Sequence, residues 1–382
     1  MKEDDTLRVA WLLPTMSAGA HWQPLVQSFT GKFKNSIFFT TKVWPEFDRS
    51  ADYSKSVRIV GKFKLIPTNQ NSSGYQRGVM LLPLSIIYFL SQYKPDYVIT
   101  SAFSLWSFLI ALAKPIFKWK IITLYEGSTF NADFSDSFIR SSARKLISKF
   151  TDQFIANNSS AVKYLEEFLK IDKKMIAPIT YLLPDKDLML AEKNSKSIEI
   201  KKQNQLIFLY VGQIIYRKGI DKLLESCNLL KDSGVVDYTV LIIGDGQQAE
   251  DFKELATFYD LDGQILWLGR INYGELGYWL ELADVFVFPS LEDTWGMAVL
   301  EAMSFGKAIL CSKFVGASEM VVEDQNGFLF NPNKPQELAD LMLKLIEFPD
   351  ISKRLGTKSL AYMNSHSLDS VTEALHRLLH KI

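Results

Sequence analysis

Short apolar runs alternate with segments of helical length along almost the whole chain, and this alternation stops and restarts once. Arg8–Leu13, Ser36–Thr40, Tyr97–Thr100, Ile121–Leu124 and Gln153–Ala156 read as buried strands, with Val79–Tyr93, Leu105–Phe117 and Phe138–Phe150 as helices between them. That order is the βαβ pattern of a doubly wound parallel sheet. From 184 to 204 the text PDKDLMLAEKNSKSIEIKKQN replaces periodicity with charge, as a linker does. Strands are then expected at Leu206–Val211, Tyr238–Ile243, Ile265–Leu268, Asp284–Phe288, Ala308–Cys311 and Gly327–Phe330. Ile220–Lys231, Gln248–Tyr259 and Met297–Phe305 are the helices between them. Two α/β domains follow, and 382 residues are in any case too many for one ordinary core. The expected divisions are a first domain at 1–185, a charged linker at 186–204 and a second domain at 205–365. A terminal helix at 366–382 has the first domain as one place to pack.

Open α/β sheets bind ligands beyond the carboxyl ends of their strands, so the cleft between two such domains is where chemistry is sought. In FPSLEDTWGMAVLEAMSFG, residues 288–306, an apolar strand hands over through an acidic loop to a helix after Gly296. If Asp293 and Glu301 shared one helix they would stand roughly 12 Å apart along its axis. Carboxylates that share one glycosidic bond stand about 5–9.5 Å apart. The spacing suits two separate grips on a long ligand better than a paired acid and base. Free N–H groups at the helix start favour an anion between them. The plain alternative is that Glu292 and Asp293 only favour the helix terminus and Glu301 is solvated.

In LYVGQIIYRKGIDKLLE, residues 209–225, a strand ends at Gly212, and Arg217 and Lys218 sit just before a helix. Cations are disfavoured there, and a diphosphate across both side chains would relieve the conflict. A solvated basic turn is the alternative. This is not a P-loop, because the second glycine before the lysine is missing and Gly219 replaces the Ser or Thr that would hold magnesium. Gly244 in IIGDGQQ and Gly269 in ILWLGRI end further strands, where glycine permits close approach to the backbone. Ser17–His21 follows the first strand without a G-x-G-x-x-G fingerprint. Asp185 and Asp187 read as part of the linker.

Other classes find little support. Forty-three basic residues balance forty-three acidic ones, which speaks against a general nucleic-acid binder. Cys227 and Cys311 are too few for a disulfide framework, and the four histidines have no metal-ligand spacing. The acidic start MKEDD is unlike a signal peptide, and AFSLWSFLIALAKPIF is too short and interrupted to span a bilayer. A cytoplasmic location is expected, with peripheral contact left open to the basic amphipathic segment Phe138–Phe150 and to Lys114, Lys118 and Lys120 around Trp119.

Taken together, VGQ…RKG, GDG, the WLG turn, ADVFVFPSLEDTWGMAVLEAMSFGKAIL, Val315–Glu319 and EDQNGFLFNP resemble glycosyltransferase family 4 over residues 211–332. The resemblance implies two doubly wound Rossmann-like domains facing across a cleft, the GT-B arrangement. It implies a retaining, metal-independent hexosyl- or glycosyltransferase with a nucleotide-sugar donor on the second domain. A carbohydrate or lipid-linked acceptor on the first, and a role in cell-surface polysaccharide or glycolipid synthesis, follow from the same likeness. Arg217 and Lys218 would bind the diphosphate, Asp293 the donor sugar and Glu301 the ribose. Gly296, Met297 and Ala298 would offer backbone to sugar and phosphates, Gly212 and Gly244 would line the rim, and the turn around Leu268 would flank the base. Gly19 would approach the diphosphate from the first domain. Two departures stand out: Asp293 replaces a glutamate, and Glu126 falls at or beside the place of a histidine. A carboxylate there could stabilise developing positive charge or accept a proton. A nucleotide-sugar epimerase on the same fold and a non-catalytic nucleotide-sugar-binding partner remain the alternatives.

Overall fold

The computed structural model describes residues 7–17, 19–45, 47–70, 76–127, 138–192 and 205–382. These divide into two compact units. Pro184–His366 makes the second, and the described residues up to Leu183 join Ser367–Ile382 in the first.

The first unit carries β1 (Val9–Leu12), β2 (Ser36–Thr40), β3 (Val57–Ile59), β4 (Lys64–Gln70), β5 (Gln76–Leu81), β6 (Tyr97–Ser101), β7 (Lys120–Tyr125), β8 (Gln153–Ala156) and β9 (Ile176–Pro178). Seven of them form a sheet in the order β3-β2-β1-β6-β7-β8-β9, every pairing parallel. β1, β7 and β8 are almost wholly apolar and buried, because helices cover both faces of such a sheet. The helix Leu105–Phe117 starts on a capping box in which Ser104 and Ser107 satisfy each other's backbone N–H groups. Trp106 and Ile110 on that helix pack with Ile86 and Leu90 of the helix Ile86–Tyr93.

β4 and β5 form a separate antiparallel hairpin, which corrects the reading of Val79–Tyr93 as one helix. β5 runs to Leu81 and the helix begins only at Ile86. Pro83 accounts for the break, since the residue before proline is pushed toward extended backbone.

The terminal helix Leu368–Lys381 packs against the helix Gly19–Lys32. The Tyr97 hydroxyl donates to the Leu379 carbonyl at 2.6 Å, Ser28 and Thr372 pair their hydroxyls at 2.6 Å, and Lys32 meets Glu373.

The second unit is a six-stranded sheet of β10 (Leu206–Val211), β11 (Tyr238–Ile243), β12 (Ile265–Gly269), β13 (Val285–Phe288), β14 (Ala308–Ser312) and β15 (Gly327–Phe330). Its order is β12-β11-β10-β13-β14-β15, again all parallel. The chain winds outward from β10 in one direction and resumes at β13 in the other. The carboxyl ends of β10 and β13 therefore flank the switch point where such sheets open a crevice. Asp185, read as linker, caps the short helix Lys186–Met189 of this unit by accepting from the Asp187 and Leu188 amides.

Candidate functional site

The rim above the second sheet is built by close backbone approach. Gly212 follows β10 and donates to the Ile243 carbonyl at 3.0 Å, while Gly244 donates to the Gly269 carbonyl at 2.9 Å. Gly244 has φ of 146°, and a Cβ there would fall 1.8 Å from the Gly212 carbonyl oxygen. Only glycine lets the ends of β10, β11 and β12 meet this way. Leu268 lies at the same rim, in β12, with its side chain buried, so its backbone is what it can offer a ligand.

The basic turn lies at the switch point. Tyr216–Lys218 forms one 3₁₀ turn, Gly219 takes φ of 68°, and the helix Ile220–Asp232 follows. A Cβ on Gly219 would meet the Pro289 carbonyl oxygen at 2.1 Å, so the turn is pressed against the loop after β13. The Leu291 amide donates to the Arg217 carbonyl at 2.9 Å, and Arg217 Nη1 donates to the Glu292 carbonyl at 2.7 Å. Lys218 Nζ forms an ion pair with Asp293 Oδ2, and both side chains are largely enclosed, at 11% and 16% exposure. The ammonium also stands 5.0 Å from the centre of the Phe288 ring. Burial pulls the Lys218 pKa down from its ordinary value, and Asp293 opposes the shift.

Asp293 is therefore not on the helix that carries Glu301. It sits in the loop, bridged to Val315, and its other carboxylate oxygen accepts from the Trp295 amide at 3.3 Å. The Gly316 amide donates to the Asp293 carbonyl at 3.1 Å, which ties this loop to the turn after β14. Gly296 takes φ of 92° and begins the helix Met297–Ser304 without a side-chain cap. A Cβ on Gly296 would lie 2.6 Å from Val315 Cγ1. Met297 is buried and Ala298 half-buried in the first turn, where backbone N–H groups have no partner within the helix.

Glu301, on the same helix, is only 5% exposed. Burial pushes its carboxyl up to about 7, and the Tyr273 phenol works against that shift. Tyr273 Oη is buried and near enough to act on Glu301 electrostatically, but it makes no hydrogen bond of ordinary geometry. No sequence motif marks Tyr273. It comes to Glu301 because the turn after β12 folds back over the helix.

In the first unit, Gly19 opens the helix after β1 and Glu126 directly follows β7. Desolvation raises the Glu126 carboxyl, and the phenol of Tyr181, itself fully buried, opposes the shift without making a hydrogen bond of ordinary geometry. The Glu126 carbonyl accepts from Asn158 Nδ2 at 2.6 Å, and Asn158 also caps the helix Ser159–Lys163. Spacing alone shows neither Tyr181 nor Asn158.

Residues 191–360 match the family model described as glycosyl transferases group 1. An uncharacterized glycosyltransferase of Methanocaldococcus jannaschii, MJ1069, is 26% identical over 256 residues, which cover 65% of this chain and 64% of that protein. The sulfoquinovosyl transferase SQD2 of Arabidopsis thaliana is 30% identical over 153 residues, covering 39% of this chain and 28% of its own length. The matches thus span less than two thirds of these relatives. Among solved structures, Anabaena Alr3699/HepE in complex with UDP superposes with a TM-score of 0.77 at 18% identity, covering 98% of this chain and 100% of that one. The sucrose-phosphate synthase of Thermosynechococcus elongatus gives 0.73 at 16% identity, with 98% of each chain covered. The fold is that of the GT-B glycosyltransferases.

Proposed function

We propose that this protein is a glycosyltransferase that takes a sugar from a nucleoside-diphosphate donor and passes it to a carbohydrate or lipid-linked acceptor. One observation carries the reading: the only anion seated at Lys218 among the described residues is Asp293, at the switch point of the sheet and within one loop of an uncapped helix start. A diphosphate is the ligand that fits a paired cation, a second cation one residue away and free amide donors. On arrival it takes over Lys218 and frees Asp293 to accept hydroxyls of the sugar. Glu301 then accepts the ribose hydroxyls, and Gly212, Gly244 and the Leu268 backbone border the base.

Transfer breaks the bond between the anomeric carbon and the phosphate oxygen, and the electron pair leaves with the diphosphate. The new bond forms to an acceptor oxygen, which loses its proton. Arg217, Lys218 and the helix amides hold the charge that develops on the leaving group, which is the role electrostatic preorganisation plays where no metal supplies it. Glu126, whose carboxyl desolvation holds above its ordinary value, is suited to accept or share a proton in the transfer. Retention of anomeric configuration, independence from metal and membership of family 4 belong to the same proposal. They rest on the likeness of residues 211–332 to that family. The Anabaena protein solved with UDP and glucose supports a nucleotide-sugar as the donor class.

The test is turnover. Incubation with a panel of nucleotide-sugars and oligosaccharide or polyprenyl-phosphate sugar acceptors should release nucleoside diphosphate only when donor and acceptor are both present. Chelator should not change the rate, and the product linkage should keep the donor's anomeric configuration by NMR. A donor isomerised without acceptor would indicate an epimerase instead. No reaction with any pair, despite donor binding, would favour a non-catalytic partner.

A further inference from the structure

We infer that the helix Leu105–Phe117 and its two neighbours form a docking surface for an anionic lipid bilayer. The helix lies between Ile86–Tyr93 and Phe138–Phe150 on one face of the first sheet. Its inward side is ordinary core, with Trp106 and Ile110 fully buried. The outward side is apolar too: Leu112 is 50% exposed, Ile116 77% and Phe117 40%, and Tyr88 on the adjacent helix is 62% exposed. A helix of a water-soluble surface normally turns polar residues outward. This one is apolar on both sides, yet no helix among the described residues is long and apolar enough to cross a membrane.

Charge selects the occupant. None of the three helices contains an aspartate or glutamate, whereas every helix of eight or more residues in the second unit carries at least one. Lys118 at the end of the middle helix and Lys145 and Lys149 on the next are exposed and in no ion pair among the described residues. Of the acids that flank these helices in the chain, Asp152 pairs with Lys114 at 2.6 Å and Asp96 accepts from the Arg8 amide at 3.0 Å, while Asp133 and Asp136 lie outside the described residues. Exposed apolar side chains beside lysines that pair with no described residue, on three helices without carboxylates, fit a surface with anionic headgroups above an apolar interior. A protein partner of matching shape would need acids around an apolar centre, and a second copy of this acid-free face would repel it.

Vesicle binding needs neither donor nor acceptor, so it stands or falls separately from the transfer reaction. The test is co-sedimentation of the full chain with vesicles of equimolar phosphatidylglycerol and phosphatidylcholine, beside vesicles of phosphatidylcholine alone. The wild type should bind the anionic vesicles, release them as salt rises, and leave the neutral ones largely unbound. Ile116→Glu and the double variant Lys145→Glu/Lys149→Glu should each weaken binding by about tenfold or more with melting temperature unchanged, since these side chains face solvent. Absence of binding to anionic vesicles, or variants that bind like the wild type, would overturn the inference. So would sedimentation showing that Ile116→Glu converts a dimer to a monomer, which would make the face a self-interface.

Discussion

Lys218 and Asp293, seventy-five positions apart in sequence, hold each other across the switch point between β10 and β13. The pair resolves the conflict of two cations placed just before a helix, and it does so with a group that the proposed ligand must displace. Under the proposed function donor binding would be an exchange of anions at Lys218 that frees the Asp293 carboxylate to grip the sugar.

Replacing Asp293 with asparagine leaves Lys218 enclosed without its carboxylate. The free protein should lose about 2–3 kcal/mol in urea denaturation, somewhat under the figure for a fully buried pair because both side chains keep some exposure. A nucleoside diphosphate should then raise the melting temperature more in Asp293→Asn than in the wild type, because no resident anion competes. Addition of the sugar to that diphosphate should improve binding less in the variant, read by titration calorimetry.

Glu301 makes a pH prediction. Its folded pKa, about 7, lies above the ordinary 4.5, so between these values the folded state binds more protons than the unfolded one. Its contribution to stability is therefore intact below pH 4.5 and is lost as pH rises through 7, about 3 kcal/mol in all. Glu301→Gln should flatten that part of the stability profile. Ribose hydroxyls bind the ionised form, so donor affinity should rise with pH through about 7. Calorimetry near pH 6.5 in buffers of different ionisation enthalpy should show proton release in the wild type and none in Glu301→Gln.

Under the proposed function Glu126 serves the transfer step and not donor binding, and Tyr181 acts only through Glu126. Glu126→Gln should leave nucleotide-sugar affinity within about twofold and lower turnover by about 10²-fold or more, the scale of a lost acid–base group. Tyr181→Phe removes the group that opposes the shift and should move the alkaline or acidic limb attributed to Glu126 upward in a pH–rate profile.

Glycines divide by what surrounds them. Gly244→Ala places a methyl group 1.8 Å from a carbonyl oxygen at φ of 146°, and should abolish donor binding while lowering the melting temperature. At Gly263 an added Cβ meets nothing within 4 Å, and Gly263→Ala should leave both properties nearly unchanged.

Much of this was legible beforehand because strand ends and glycine turns write themselves locally. The βαβ rhythm showed both sheets, and Arg217, Lys218, Asp293 and Glu301 stood out by type and place. What the chain does not spell is which strands become neighbours. β13 follows β12 in sequence but pairs with β10, and only that crossing brings Asp293 to Lys218. Tyr273 reaches Glu301 by tertiary folding with no motif of its own. The hairpin strand to Leu81 was hidden because its apolar run continues without charge into a true helix, and Pro83 is the one local mark of the boundary. The outward apolar stripe of Leu105–Phe117 could be placed only once the covered side of the helix was known.

The most direct measurement is thermal stabilisation of the purified protein by a panel of nucleotide-sugars, repeated with Arg217→Ala and Glu301→Ala. A ligand that binds only the folded state raises the melting temperature once it exceeds its dissociation constant. The site described here predicts that at least one donor raises it in the wild type and fails to do so in both variants. If no donor shifts the wild type at millimolar concentration, or if the variants respond as the wild type does, these residues do not hold a nucleotide-sugar.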